Sequence, residues 1–312
     1  MFLGHVTLAF AIVVFGATLY EVPRERALAL GIAAGLFALV PDADIVYAFT
    51  GFLRVNQLSA SAAASAFWAA STVVHRSITH SLLVAVSAAS GLGLFVVERR
   101  SVRVSSIAVL ALLVSAIFLV SGPLGVLVTV AFLLVGGLVV ILSTAHLDLD
   151  AHEIGAVALI GFISHPFGDL LTGEPPAFLY PLGRTLLDAR PEPFADATLN
   201  LLAAFGLELV TIWAGLLAFL WLTERRIWTH IRPRAVVGGV YALAALVIQP
   251  PTLDSSYLFV FSVIAVGSVG VHPRTVIDRS HENVVTMAVT GLTAVTVAGA
   301  GYAITYALTG AI

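Results

Sequence analysis

From Phe2 to Leu19 the chain runs without one acidic or arginine side chain, and comparable stretches recur almost to its end. A segment of about 17–25 apolar residues is what a helix needs to cross a bilayer, because lipid offers its backbone no hydrogen bonds. Candidate spans lie near residues 3–20, 27–41, 81–97, 104–120, 124–143, 154–172, 199–222, 235–249, 257–271 and 284–308. Only 11% of the residues are charged, against about a quarter in soluble domains. The expected fold is all-α: a polytopic transmembrane helical bundle of about ten spans, multi-pass in the plasma (inner, cytoplasmic) membrane. The first run has no basic leader and no clear small-residue cleavage site, so it reads as a retained span.

Composition excludes several chemistries. There is no cysteine, hence no disulfide, thiolate ligand or cysteine nucleophile. A net charge of -3 gives no footprint for a nucleic-acid partner; the partner to expect is the lipid bilayer. The Ser- and Ala-rich stretch 54–74, with its Trp, suits an interfacial or re-entrant segment better than a span.

Arginines in short loops mark the cytoplasmic side. Arg24 and Arg26 follow the first span, and Arg99, Arg100 and Arg103 the third. Arg225, Arg226, Arg232 and Arg234 follow the seventh, and Arg274 and Arg279 the ninth. Counting spans puts these four loops on one side, which predicts an extracytoplasmic N-terminus. Arg54, Arg76, Arg184 and Arg190 fall on the opposite side. Arginines placed against the bias suit phosphate or carboxylate binding.

The polar residues that remain converge on that second side. His5 opens the first span, "LVPDAD" closes the second with Asp42 and Asp44, "HRSITHS" puts His75 and His80 before the third, and "SHPFGD" supplies His165 and Asp169. His165 and Asp169 are four apart and share a helix face. An extended turn would aim Asp42 and Asp44 to one side. His75 and His80, five apart, would diverge on one helix, so His80 belongs at the helix start, with Thr79 or a neighbour capping. Imidazoles and carboxylates without thiolates make a ligand set for zinc, manganese or iron. The number of ligands suits one or two divalent ions, and a pair would clamp attacking and leaving oxygens.

Taken singly, each piece has an ordinary explanation: an interfacial histidine, a helix stop, a capping carboxylate. Together, on one face of a membrane where ionisable groups are costly, they point to a metal site at His5, Asp42, Asp44, His75, His80, His165 and Asp169. The richest-looking cluster, "AHLDLDAHE" at 145–153, falls on the arginine side, and Asp150 with Glu153 fits a capping box opening the next helix. His230, His272 and His281 lie in arginine-bearing loops and are expected to be solvated.

The order of motifs resembles the YdjM-like membrane-bound metal-dependent hydrolases: Gly4 and His5, "LVPDAD", "HRSITHS" and "SHPFGDLLTGEPPAFLYPLGR", over roughly residues 1–190. The resemblance implies a membrane protein that hydrolyses a substrate with bound metal. Its polar signature falls here on His5, Asp42, Asp44, His75, Arg76, Thr79, His80, His165 and Asp169, continued by Thr172, Gly173 and Pro181. Two domains are expected: a hydrolase-like helical domain at 1–190 and a four-span region of unknown role at 191–312.

The leading functional expectation is hydrolysis of an ester or phosphoester on a lipid-linked substrate, at the extracytoplasmic face. Asp42 or Asp44 would bridge ions or accept the water's proton, Arg76 and Arg184 would hold an anionic group, and Thr79 and Ser81 would orient imidazoles. Ser81 as a nucleophile lacks any base spaced to activate it. The rival of another class is a proton- or metal-coupled transporter or channel, for which Glu208 is the main ionisable group in the later spans. A metal-stabilised scaffold without catalysis is the third.

Overall fold

A computed structural model describes residues 2–54, 59, 62, 66, 76–172, 175–183, 185–271 and 280–309. Every regular element among them is helical. Most of the stretch 54–74 lies outside the described residues, as do His75, Gly173, Arg184 and His272. The chain divides into two compact units, residues 1–190 and 191–312.

The first unit contains α1 (Phe2–Leu19), α2 (Arg24–Leu39), a 3-10 helix (Pro41–Arg54), α3 (Leu82–Val96), α4 (Arg100–Leu147) and α5 (Ala151–Gly168). Helices α1 and α2 run antiparallel: Gly31 lies against Phe10 and Val14, and Gly35 against Val6. Helices α2 and α5 run side by side in the same direction, with Gly161 against the Ala34 carbonyl and Arg26 paired with Glu153 one end away. A Cβ on Gly161 would stand 2.7 Å from that carbonyl oxygen, so this close approach needs a residue without a side chain. Phe37, Phe132 and Phe162 fill the space between.

Helix α4 is 48 residues long but is not one rod. Gly91 on α3 lies against Leu110, while neighbouring Leu92 touches Gly136. A straight helix would separate residues 110 and 136 by about 39 Å, so the two arms fold back on each other. The reversal is at Gly122, whose φ of 64° and ψ of -158° are non-helical, followed by Pro123. Glycine alone adopts that region without strain. The tip of this hairpin meets Ile78, through Gly125.

One end of the first unit therefore gathers the start of α1, the ends of α2 and α5, the start of α3 and the α4 tip. The other end gathers Arg24, Arg26, Arg99, Arg100 and the 148–153 turn. There Asp150 caps α5 and forms the capping box with Glu153, whose carboxylate also holds Arg26. That cluster is a structural joint.

The second unit contains α6 (Ala197–Leu222), a 3-10 helix (Pro233–Leu246), α7 (Tyr257–Val266) and α8 (His281–Thr309). Its core is aromatic, with Phe205 and Tyr302 against Phe259.

Four helical segments among the described residues are long and apolar enough to cross a bilayer: Arg24–Phe49, Arg100–Leu147, Ala197–Leu222 and Glu282–Thr309. That is fewer than the ten expected. The apolar runs exist, but Leu82–Val96, Pro233–Leu246 and Tyr257–Gly270 are short; fifteen helical residues reach only about 22 Å, against a hydrocarbon core of about 30 Å. Two other runs, 104–120 and 124–143, are the arms of the single α4 segment, and α5 is diluted by His152, Glu153 and His165.

Candidate metal centre

Each polar motif is carried to the same end of the first unit by a helix terminus. The C-terminal carbonyls of a helix have no intrahelical donor, and α2 ends at Leu39. The Ala38 carbonyl is thus open to Nδ1 of His165, 2.7 Å away. Asp42 and Asp44 follow on the 3-10 helix from Pro41, not on the extended turn expected, and they diverge: Asp42 reaches His165 and Asp44 reaches Thr79. His80 sits directly before Ser81, the N-cap of α3. The Ser81 hydroxyl oxygen accepts from the backbone N–H groups of Leu83 and Val84 and donates to the Tyr180 carbonyl at 2.6 Å. That is a structural task, in place of the imidazole-orienting one expected.

His5, His80, His165 and Asp169 are buried, and Asp42 nearly so. His80 Nε2 lies 3.1 Å from His165 Nε2 and 3.1 Å from Asp169 Oδ2. His165 Nε2 is 3.8 Å from the same Asp169 oxygen and 3.4 Å from Asp42 Oδ1. His5 stacks on His165 with ring centres 3.8 Å apart and puts its Nε2 3.2 Å from Asp169 Oδ1.

The outer hydrogen bonds decide which nitrogens carry protons. A carbonyl only accepts, so His165 Nδ1 must donate to Ala38, and the neutral ring presents a bare Nε2. The Thr79 hydroxyl donates to Asp44 at 2.9 Å. Its oxygen, 2.9 Å from His80 Nδ1, then accepts from that ring, and His80 Nε2 is bare as well. With both rings neutral, two imidazole lone pairs and the Asp169 carboxylate therefore converge. Three acceptors in mutual contact repel unless a cation joins them.

The donor set fits a divalent metal ion. Ligands about 2.0–2.2 Å from a tetrahedral ion stand about 3.3–3.5 Å from one another, and these three atoms are spaced 3.1, 3.1 and 3.8 Å apart. Two overlapping triads qualify, His80–His165–Asp169 and His5–Asp42–His165. Nδ1 of His5 is buried and has no hydrogen-bond partner among the described residues.

Arg76 is committed. Its guanidinium donates to the Asp169 carbonyl at 3.2 Å and the Thr172 hydroxyl at 3.0 Å, and stands 3.6 Å from Asp169 Oδ1. In these contacts it orients Asp169. Thr79, 1% exposed, bridges Asp44 and His80, which places Asp44 one step behind the cluster. His75 and Arg184 lie outside the described residues.

Two contributors escaped the sequence. The Ala38 carbonyl carries no side-chain signal. The segment 176–182 straps the "HRSITHS" loop: Ala177 N–H donates to the Arg76 carbonyl, Leu82 N–H to the Phe178 carbonyl, and the Tyr180 hydroxyl meets Ser121 at the α4 tip. The paired prolines and apolar residues of "EPPAFLYP" were its available sign.

His230, expected in solvent, is 4% exposed. Its Nδ1 meets the Thr286 hydroxyl at 2.9 Å and its carbonyl accepts from Thr290 at 2.8 Å, because α8 packs against the loop.

No curated protein and no solved structure matches the chain. A model of the family described as YdjM inner membrane protein matches residues 1–252, past the first unit and into the second. With four motifs gathered at one end of the first unit and four long apolar helical segments among the described residues, this match over most of its length means that the chain belongs to the YdjM inner membrane protein family.

Proposed function

We propose that the protein is a membrane-embedded metal-dependent hydrolase acting on an ester or phosphoester of a lipid-linked substrate at the extracytoplasmic face. The observation that carries this reading is the convergence of two bare Nε2 atoms and a carboxylate, each with its outer hydrogen bonds already made. His80, His165 and Asp169 would hold one divalent ion, zinc by ligand chemistry, with manganese or iron also accommodated; His5 and Asp42 would serve a second. A metal bound there would supply Lewis acidity at the scissile oxygen and a water acidic enough to attack at neutral pH.

The remaining work falls to the chain. Asp42 is 11% exposed against 3% for Asp169, so it is the carboxylate an incoming water would meet first and the one to take its proton. Asp169 is held by Arg76, His5 and His80 and stays a fixed ligand. Arg184 keeps the role of meeting an anionic substrate group. An arrangement at a helix-bundle end, close to where headgroups lie, suits a substrate held in the bilayer.

The test is release of phosphate or acid from a panel of lipid esters and phosphoesters by the purified full chain, with and without a chelator. Metal-dependent release, lost in Asp42→Asn while the ion held by His80, His165 and Asp169 is retained, supports the hydrolase. Retained metal with no release, together with metal-driven proton flux in proteoliposomes, would replace it with the transporter.

A further inference from the structure

The second unit holds a cavity of about 390 Å³ lined by Glu224, Arg225, Arg226, Thr229, His230 and Glu282. It is built by a turn that is fastened in place. Helix α6 stops at Leu222, and Glu224 takes a left-handed φ of 56° that turns the chain back. Arg225 N–H donates to the Leu220 carbonyl, closing that turn. His230 is then pinned to α8 through Thr286 and Thr290, and Arg232 N–H to Thr290.

Neither Arg225 nor Arg226 forms an ion pair with a described residue, although two carboxylates line the same cavity. Guanidinium forks match phosphate oxygens, while Glu224 and Glu282 match an ammonium group. A second, separate sign gives the depth. Trp228, between the cavity residues, is 80% exposed, and an exposed tryptophan at the end of a membrane helix is an anchor at headgroup level. Basic pockets between membrane helices are where lipid headgroups bind.

We propose that this cavity binds the headgroup of a membrane phospholipid carrying a primary amine, with Arg225 and Arg226 on the phosphate and Glu224 and Glu282 on the amine. It is independent of the His/Asp centre.

The experiment is calorimetric titration of the detergent-solubilised full chain with dihexanoyl phosphatidylethanolamine, dihexanoyl phosphatidylglycerol and inorganic phosphate. Saturable binding of the ethanolamine lipid is expected, with affinity at least about tenfold weaker in the R225A/R226A double variant, since charge-assisted hydrogen bonds are lost. E224Q/E282Q should erase the preference over phosphatidylglycerol while leaving phosphate recognition. These residues lie on a surface turn, and an unchanged helical circular-dichroism spectrum and thermal midpoint report that each variant is intact. Equal affinity for inorganic phosphate would assign the cavity to a soluble anion and overturn the proposal. So would unchanged binding in R225A/R226A, or equal binding of the two lipids in the wild type.

Discussion

The two units are made from the same apolar residues but place their polar groups oppositely. In the first, histidines and aspartates from four distant segments turn inward at one end, where His80 and His165 are fully buried. In the second, Glu224, Arg225 and Arg226 lie at a turn and the main core joins aliphatic side chains to Phe205, Phe259 and Tyr302. A buried ionisable cluster in a bilayer is costly and persists when something compensates it. A core of aromatic and aliphatic side chains carries no comparable charge to compensate. The first unit thus turns ionisable groups into its interior at one end, whereas the second builds its main core from apolar and aromatic packing.

The largest effect should come from the metal ligands. His80→Ala with His165→Ala is expected to abolish bound metal by elemental analysis and to lower hydrolysis far beyond the roughly 10–100-fold that outer contacts command. His230→Ala, the buried histidine of the other unit, should leave metal content unchanged. Equal loss from both would collapse the contrast between the units.

Next is Thr79→Val. Without the hydroxyl, His80 Nδ1 loses the acceptor that fixes its tautomer, and metal affinity should fall about 10–100-fold. Thr79→Ser should restore it. Competition with a chromogenic chelator measures both, and a valine variant with wild-type affinity would dissolve the tautomer argument.

Packing supplies a smaller contrast. Gly161→Ala pushes a methyl group against the Ala34 carbonyl and Phe37, and should cost about 1–3 kcal/mol in thermal unfolding while disturbing the Ala38 carbonyl that holds His165. Gly206→Ala on α6 meets nothing within 4 Å and should gain about 0.5–1 kcal/mol from helix propensity.

The smallest effect is one of pH. Burial, reinforced by Arg225, pushes the His230 imidazole below its ordinary 6.5. The unfolded chain then takes the proton first, so the contribution of His230 to stability is intact above that value and declines as pH falls below it. His230→Gln should flatten that limb of the stability profile relative to wild type.

Much of the site was legible because its chemistry is expensive. A histidine and an aspartate four apart in an apolar run stand out in lipid, as do Asp42 and His80 at the edges of such runs. The 148–153 joint was legible too, since Asp150 and Glu153 obey local capping rules. What failed was whatever depended on neighbours far along the chain. His230 looked solvated because Thr286 and Thr290 are more than fifty residues away. The contacts of Arg76 with Asp169 and Thr172 were hidden as well, because those residues arrive with another helix.

By itself the sequence determined the helical class, the membrane setting and the residue types gathered at one end, because hydropathy and local spacing act through nearest neighbours. Only the tertiary structure decided that α4 doubles back at Gly122, that Ala38 and Thr79 hold the two imidazoles with their Nε2 atoms bare, and that Arg76 serves Asp169. Those outcomes depend on distances of a few ångströms between helices, and such distances are set by close packing rather than by order along the chain.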